Sequence, residues 1–162
     1  MAERRRSIHT GHRQRVKDEF SARGLAGWPD HRVLELLLYY AIPQGDVNGL
    51  AHELVERFGS LAGVLDAAEE ELCRVPGVGQ HTAVLLKLIP AAGARYLQSR
   101  ADLGEPVRRT EDAYALLEPY FFGARNEMIY LLALDGKNKP LGVRKVAEGS
   151  ICAANINLRR IM

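Results

Sequence analysis

Apolar residues recur at helical spacing through most of the first hundred positions. From Asp46 onward, Val47, Leu50, Ala51, Leu54, Val55 and Phe58 fall at i, i+3, i+4, i+7, i+8 and i+11, one face of a helix. Asp46 is placed to cap its start and Gly59 to stop it. The preceding stretch carries Val33, Leu34, Leu36, Leu37, Leu38 and Tyr40, apolar nearly all round. That pattern predicts a buried helix, with Asp30 as its cap, Ile42-Pro43-Gln44-Gly45 as its break and Trp28 as a core anchor before it. Ser60 caps a short helix holding Leu61, Val64 and Leu65. A short acidic helix, Glu69 to Arg74, and an apolar one, Thr82 to Ile89, complete the run. Pro90 falls inside this last helix and removes a backbone bond, which predicts a kink near Leu86 to Ile89.

After Ser99 the pattern changes. Residues 101–107 read as a linker, and Thr110 with Glu111 and Asp112 opens an amphipathic helix through Leu116, Leu117 and Tyr120. Met128 to Leu134 is apolar at strand length, Asp135-Gly136-Lys137-Asn138 is a hairpin turn, and Leu141 to Val146 returns. Ser150 to Ala153 predicts a third strand, and Ile156 to Met162 begins another helix inside which the chain stops. The expected organisation is a helical domain over 1–100, a linker over 101–107 and a small α/β region over 108–162. The fold class is mostly α, a helical bundle followed by that α/β segment.

One stretch points to a chemistry. Val75-Pro76-Gly77-Val78-Gly79 joins two helices, and Gln80, His81 and Thr82 form the first turn of the second. Glycines spaced i, i+2 let the backbone turn sharply and leave no side chain over the unpaired N–H groups of a helix start. Such a start suits a phosphate. Ala83 is small enough for the two helices to close on each other. The segment from Glu56 to Ala83 thus reads as two helical hairpins in series, a tandem helix-hairpin-helix. The first, turning at Phe58-Gly59-Ser60, is degenerate and serves as a packing partner. The second has phosphate geometry through Gly77, Val78, Gly79, Gln80, His81 and Thr82, with Lys87 as the nearest lysine. The bland alternative is a tight turn between helices with no ligand, in which His81 and Lys87 belong to a solvated face.

Charge distribution sharpens this picture. The 162 residues carry a net charge of +2, yet residues 1–17 hold Arg4, Arg5, Arg6, Arg13, Arg15 and Lys17 against Glu3 alone. Beside a phosphate-binding hairpin, that basic arm is placed to track a nucleic-acid backbone. No stretch offers a recognition helix rich in Arg, Asn and Gln, so the expected partner is DNA bound without sequence specificity. Cys73 and Cys152 lack C-x-x-C spacing and read as inert thiols in a reducing compartment. No apolar run approaches 18 residues and no signal-peptide core is present, which predicts a cytoplasmic protein with no membrane association.

Several stretches together resemble the bacterial RadC family over essentially the whole chain. They are Gly11-His12-Arg13-Gln14-Arg15, Leu34 to Pro43, Arg57 to Leu61, the Pro76-to-Ala83 hairpin, Glu127 to Asp135, Glu148-Gly149-Ser150 and Leu158-Arg159. The resemblance implies a DNA-binding protein with a link to DNA repair. It also implies a helical N-terminal region followed by a JAB/MPN-type domain, related to metal-dependent isopeptidases. That domain holds zinc with a glutamate, a His-x-His pair and an aspartate. Glu127 matches the glutamate as a vestigial catalytic residue, and Arg159 matches a family arginine. His9, His12, His31, His52 and His81 all precede Glu127 and none forms a His-x-His pair. A catalytic zinc needs about three protein ligands, so the expectation is an incomplete JAB/MPN region with no metal site and no cofactor, zinc entering only if the chain extended past Met162. Two other readings stand beside DNA binding: a JAB-type zinc metallohydrolase active in a longer chain, and a protein-interaction or homo-oligomer module using the β region.

Overall fold

The computed structural model describes residues 11–100, 104–124 and 126–149. The expected third strand, the helix from Ile156, Arg159, Cys152, His9 and Arg4 to Arg6 lie outside these residues. Seven helices and two strands are described: α1 (His12–Arg23), α2 (Asp30–Ala41), α3 (Asn48–Phe58), α4 (Leu61–Asp66), α5 (Glu69–Cys73), α6 (Gln80–Arg100), α7 (Thr110–Phe121), β1 (Met128–Leu134) and β2 (Pro140–Glu148). The protein is mostly α with a small antiparallel sheet. Two compact units divide it, Met1–Ile89 and Pro90–Met162, with the division inside α6. The helix itself continues through Pro90.

Each of the six helices in the first unit contributes a fully buried side chain to one core: Val16, Leu34 and Leu38, Leu54, Val64, Leu72 and Leu86. Burying a leucine this completely is worth about 1.5–3 kcal/mol, so the periodic apolar positions supply the cohesion that such short helices lack alone. Trp28 packs against this core with the Arg32 guanidinium over its ring. Gly59 ends α3 with φ +84°. The Ser60 hydroxyl accepts from the Gly63 N–H at 3.0 Å, and the Asp46 carboxylate from the Asn48 N–H at 2.9 Å. All three follow the local sequence signals.

Asp30 departs from its expected role. It begins α2 after Pro29 without bonding that helix's own N–H groups; its carboxylate instead accepts from the Leu61 N–H, at the start of α4, at 2.7 Å. Sequence spacing could not reveal this, because the two residues meet only when α2 packs beside the first hairpin.

In the second unit, the Asp112 carboxylate accepts from the N–H groups of Arg108 and Arg109, each at 3.0 Å. These two backbone bonds hold its pKa below the ordinary carboxylate value. Strands β1 and β2 pair from Met128↔Glu148 to Leu134↔Pro140, with irregularities after Ile129 and Ala133. Asp135 closes the turn by accepting from the N–H groups of Lys137 and Lys139, and Asn138 takes φ +60°. The rings of Tyr120 and Phe121 meet Tyr130 at 5.4 and 5.1 Å and tie α7 to β1.

Candidate nucleic-acid interface

The second hairpin is built from the inside out. Val75 and Val78 are buried and anchor the loop, while Pro76, Gly77 and Gly79 between and after them are exposed. The Val78 N–H closes the turn on the Val75 carbonyl at 3.0 Å. Gly77 adopts φ +90°, a conformation that side chains resist. Leu50, in the first turn of α3, lies 3.6 Å from the position a Cβ of Gly77 would take.

Gly79 works differently from the sequence expectation. Its φ is not positive, and a Cβ there would meet nothing within 4 Å. Its carbonyl accepts the first bond of α6, from Ala83 N–H at 3.0 Å. The N–H groups of Gln80, His81 and Thr82 therefore precede the first intrahelical bond.

The side chains around this opening divide sharply. His81 is exposed. The Gln80 amide is tied to the Glu69 carboxylate and accepts a thiol hydrogen bond from Cys73, which clamps the two helices of the hairpin together. Thr82 is 3% exposed, so it offers its backbone N–H rather than a hydroxyl in solvent. Ala83 is fully buried at the helix contact, as its size suggested.

Two expected cations are turned to structural work. Lys87 Nζ donates to the carbonyls of Leu65 and Ala67, at 2.7 and 2.9 Å, where α4 ends. Positive charge is favourable at that position because a helix end leaves carbonyls unpaired. Arg13 donates to the carbonyls of Ile42, Pro43 and Gly45, at 2.9, 3.0 and 2.6 Å, and lies over the Tyr39 ring. Arg15, two residues on, is exposed. Arg74, which sequence reading passed over, is exposed at the end of α5, one residue before the loop. Its position immediately ahead of Val75 is the signal that could have found it.

Beneath α1, Glu35 is 2% exposed and its carboxylate lies 3.1 Å from His12 Nε2. Tyr39 is buried nearby; burial, and then the Glu35 carboxylate beside it, push its hydroxyl pKa up. His12, Arg13, Glu35 and Tyr39 thus join α1 to α2, which gives the His12-Arg13 pair of the sequence pattern a structural role.

The first hairpin shows what an occupied version looks like. There the Asp30 carboxylate sits on the Leu61 N–H and Ser60 on that of Gly63, so the protein supplies its own anion. Gly63 lets the helices approach so closely that a Cβ would collide with the Phe58 carbonyl.

Glu127 stands immediately before β1, its backbone carbonyl accepting from Gly149 N–H at 3.0 Å. Among the described residues, no group of three or more His, Cys, Asp or Glu could hold a metal ion. Their donor set does not fit a zinc centre. No helix among the described residues is long and apolar enough to cross a membrane.

No family model and no solved structure matches the chain. Relatives do. A UPF0758 protein of Ruegeria pomeroyi is 30% identical over 140 residues, 86% of this chain and 62% of its own length. One of Rhodobacter capsulatus is 34% identical over 140 residues, 84% of this chain and 64% of its own length. One of Fusobacterium nucleatum is 38% identical over 79 residues, 49% of this chain and 34% of its own length. The chain thus spans less than two thirds of the length of each of these relatives. Its homologues are UPF0758 proteins, a family that corresponds to the RadC-like proteins its sequence resembles.

Proposed function

We propose that this chain is a RadC-like, cytoplasmic DNA-binding protein whose first unit grips the phosphate backbone through the second hairpin, without reading base sequence. The observation that carries this reading is the start of α6, where the N–H groups of Gln80, His81 and Thr82 precede the helix's first backbone bond and follow two exposed glycines. Arg74 and Arg15 are exposed cations suited to flanking phosphates. Arg13 and Lys87 support the interface indirectly, by fixing the loop after α2 and the end of α4. A DNA-repair setting is what the RadC resemblance adds.

Binding driven by phosphate contacts weakens steeply with salt, each neutralised phosphate adding about −0.9 to the log–log slope on duplex DNA. Titration of duplexes of unrelated sequence at several salt concentrations is expected to give equal affinities and a common negative slope. A flat salt response, or no binding at low salt, overturns the reading.

A protein-interaction role for the second unit has its own support. Among the described residues of the second unit, Pro140 is the one buried apolar residue, whereas Tyr114, Phe122 and Leu141 are exposed. Light scattering across concentrations tests this; a monomer at all concentrations argues against self-association.

A further inference from the structure

Tyr40 is the most exposed large hydrophobic residue described in the first unit, at 65%, although Tyr39 in the same turn is 5% exposed. An i, i+4 row of cations on α1 crosses this pair: the Arg13 guanidinium lies 4.7 Å from the Tyr39 centroid and the Lys17 ammonium 4.9 Å from that of Tyr40. A cation over one face fixes a ring's orientation and leaves the rest of it in water. The five carboxylates between residues 11 and 47 are each engaged on the protein. Asp18 accepts from Gln14, Glu19 from Arg32, Asp30 from Leu61 N–H and Asp46 from Asn48 N–H, and Glu35 is paired with His12. Along the sequence, residues 1–17 carry six cations and one acid.

Tyr40 is in the last turn of α2, and the chain passes from it to Leu50, which lies beside the glycine loop. Arg13 draws the start of α1 onto the Ile42-to-Gly45 turn that follows Tyr40, and Leu50, just past that turn, rests against Gly77.

We propose that Tyr40, held by Lys17, is a stacking platform for an unpaired base, so that the preferred ligand is nucleic acid with a single-stranded segment rather than plain duplex. An exposed aromatic beside cations is the arrangement that binds single strands without sequence preference, because every base has a π-face. The proposal rests on the backbone-binding reading for its second contact, and the stacking itself does not require it.

The test uses the full chain and fluorescence anisotropy with three probes: a blunt duplex, the same duplex with an oligo-dT overhang, and oligo-dT alone. The overhang probe is expected to bind more tightly than the blunt duplex. Tyr40→Ala should weaken overhang and oligo-dT binding by about 5- to 100-fold, leave blunt-duplex binding unchanged, and preserve the circular dichroism spectrum. Tyr40→Phe should retain the preference. Equal binding of the overhang probe by the wild type and Tyr40→Ala overturns the proposal. Oligo-dT binding that depends on Tyr40 while blunt duplex fails to bind leaves the platform standing and removes the hairpin reading. Binding of no probe removes both.

Discussion

The two hairpins of the first unit share a plan and differ in who supplies the anion. In the first, α4 begins under the Asp30 carboxylate and the Ser60 hydroxyl. In the second, α6 begins behind the exposed Gly77 and Gly79, and its first backbone bond runs from Ala83 N–H to the Gly79 carbonyl. The glycines differ as well. Gly63 is required by a close approach to the Phe58 carbonyl, Gly77 by its φ of +90°, and Gly79 by neither. A helix start completed by its own chain is a packing element; one left open is what the proposed phosphate contact requires.

The harshest way to break the comparison is Gly63→Ala. The added methyl meets backbone and has nowhere to go, so the first unit should lose about 3 kcal/mol or more, measured by urea denaturation, while Gly79→Ala should be nearly silent in stability. Equal costs at the two sites would mean that the hairpins are packed alike.

Gly79→Asp sharpens it by making the second hairpin imitate the first. An N-cap carboxylate would stabilise α6 by a few tenths of a kcal/mol relative to glycine. It would also occupy the N–H groups that a phosphate needs, and DNA affinity should fall by about 10- to 100-fold. A stable variant that binds normally would reduce the hairpin to scaffold.

Removing the internal anion is the converse experiment. Asp30→Ala leaves the Leu61 N–H without its charged partner in a half-buried site, costing about 1.5–3 kcal/mol, with DNA binding by the folded fraction unchanged. Lys87→Met removes the donor to two carbonyls and should cost about 1–2 kcal/mol, again without altering binding. A selective loss of affinity in the Lys87 variant would return that lysine to the interface.

The smallest effect lies outside both hairpins and serves as their control. Backbone bonds hold the Asp112 pKa below its ordinary value. The stabilisation it gives α7 is therefore present above the ordinary carboxylate pKa and lost as pH falls through the lowered one. The protection of amides at the start of α7 against hydrogen exchange, taken relative to the intrinsic exchange rate at each pH, should fall on acidification and become insensitive to pH over that window in Asp112→Asn.

The sequence by itself determined most of the helices, the strand–turn–strand and the hairpin loop. Those signals are local: apolar spacing at Val47 to Phe58, a cap at Ser60 or Asp46, a turn at Asp135 to Asn138. It also marked Gly77 to Thr82 as a place where backbone donors could be left open. Only tertiary structure decided which charged groups remain available to a ligand. Arg13, Asp30 and Lys87 look like free surface charges along the chain, yet each is engaged by backbone 20 to 32 residues away. Long side chains choose partners by where helix ends arrive, and helix ends expose N–H and carbonyl groups whose position in space no spacing along the chain encodes.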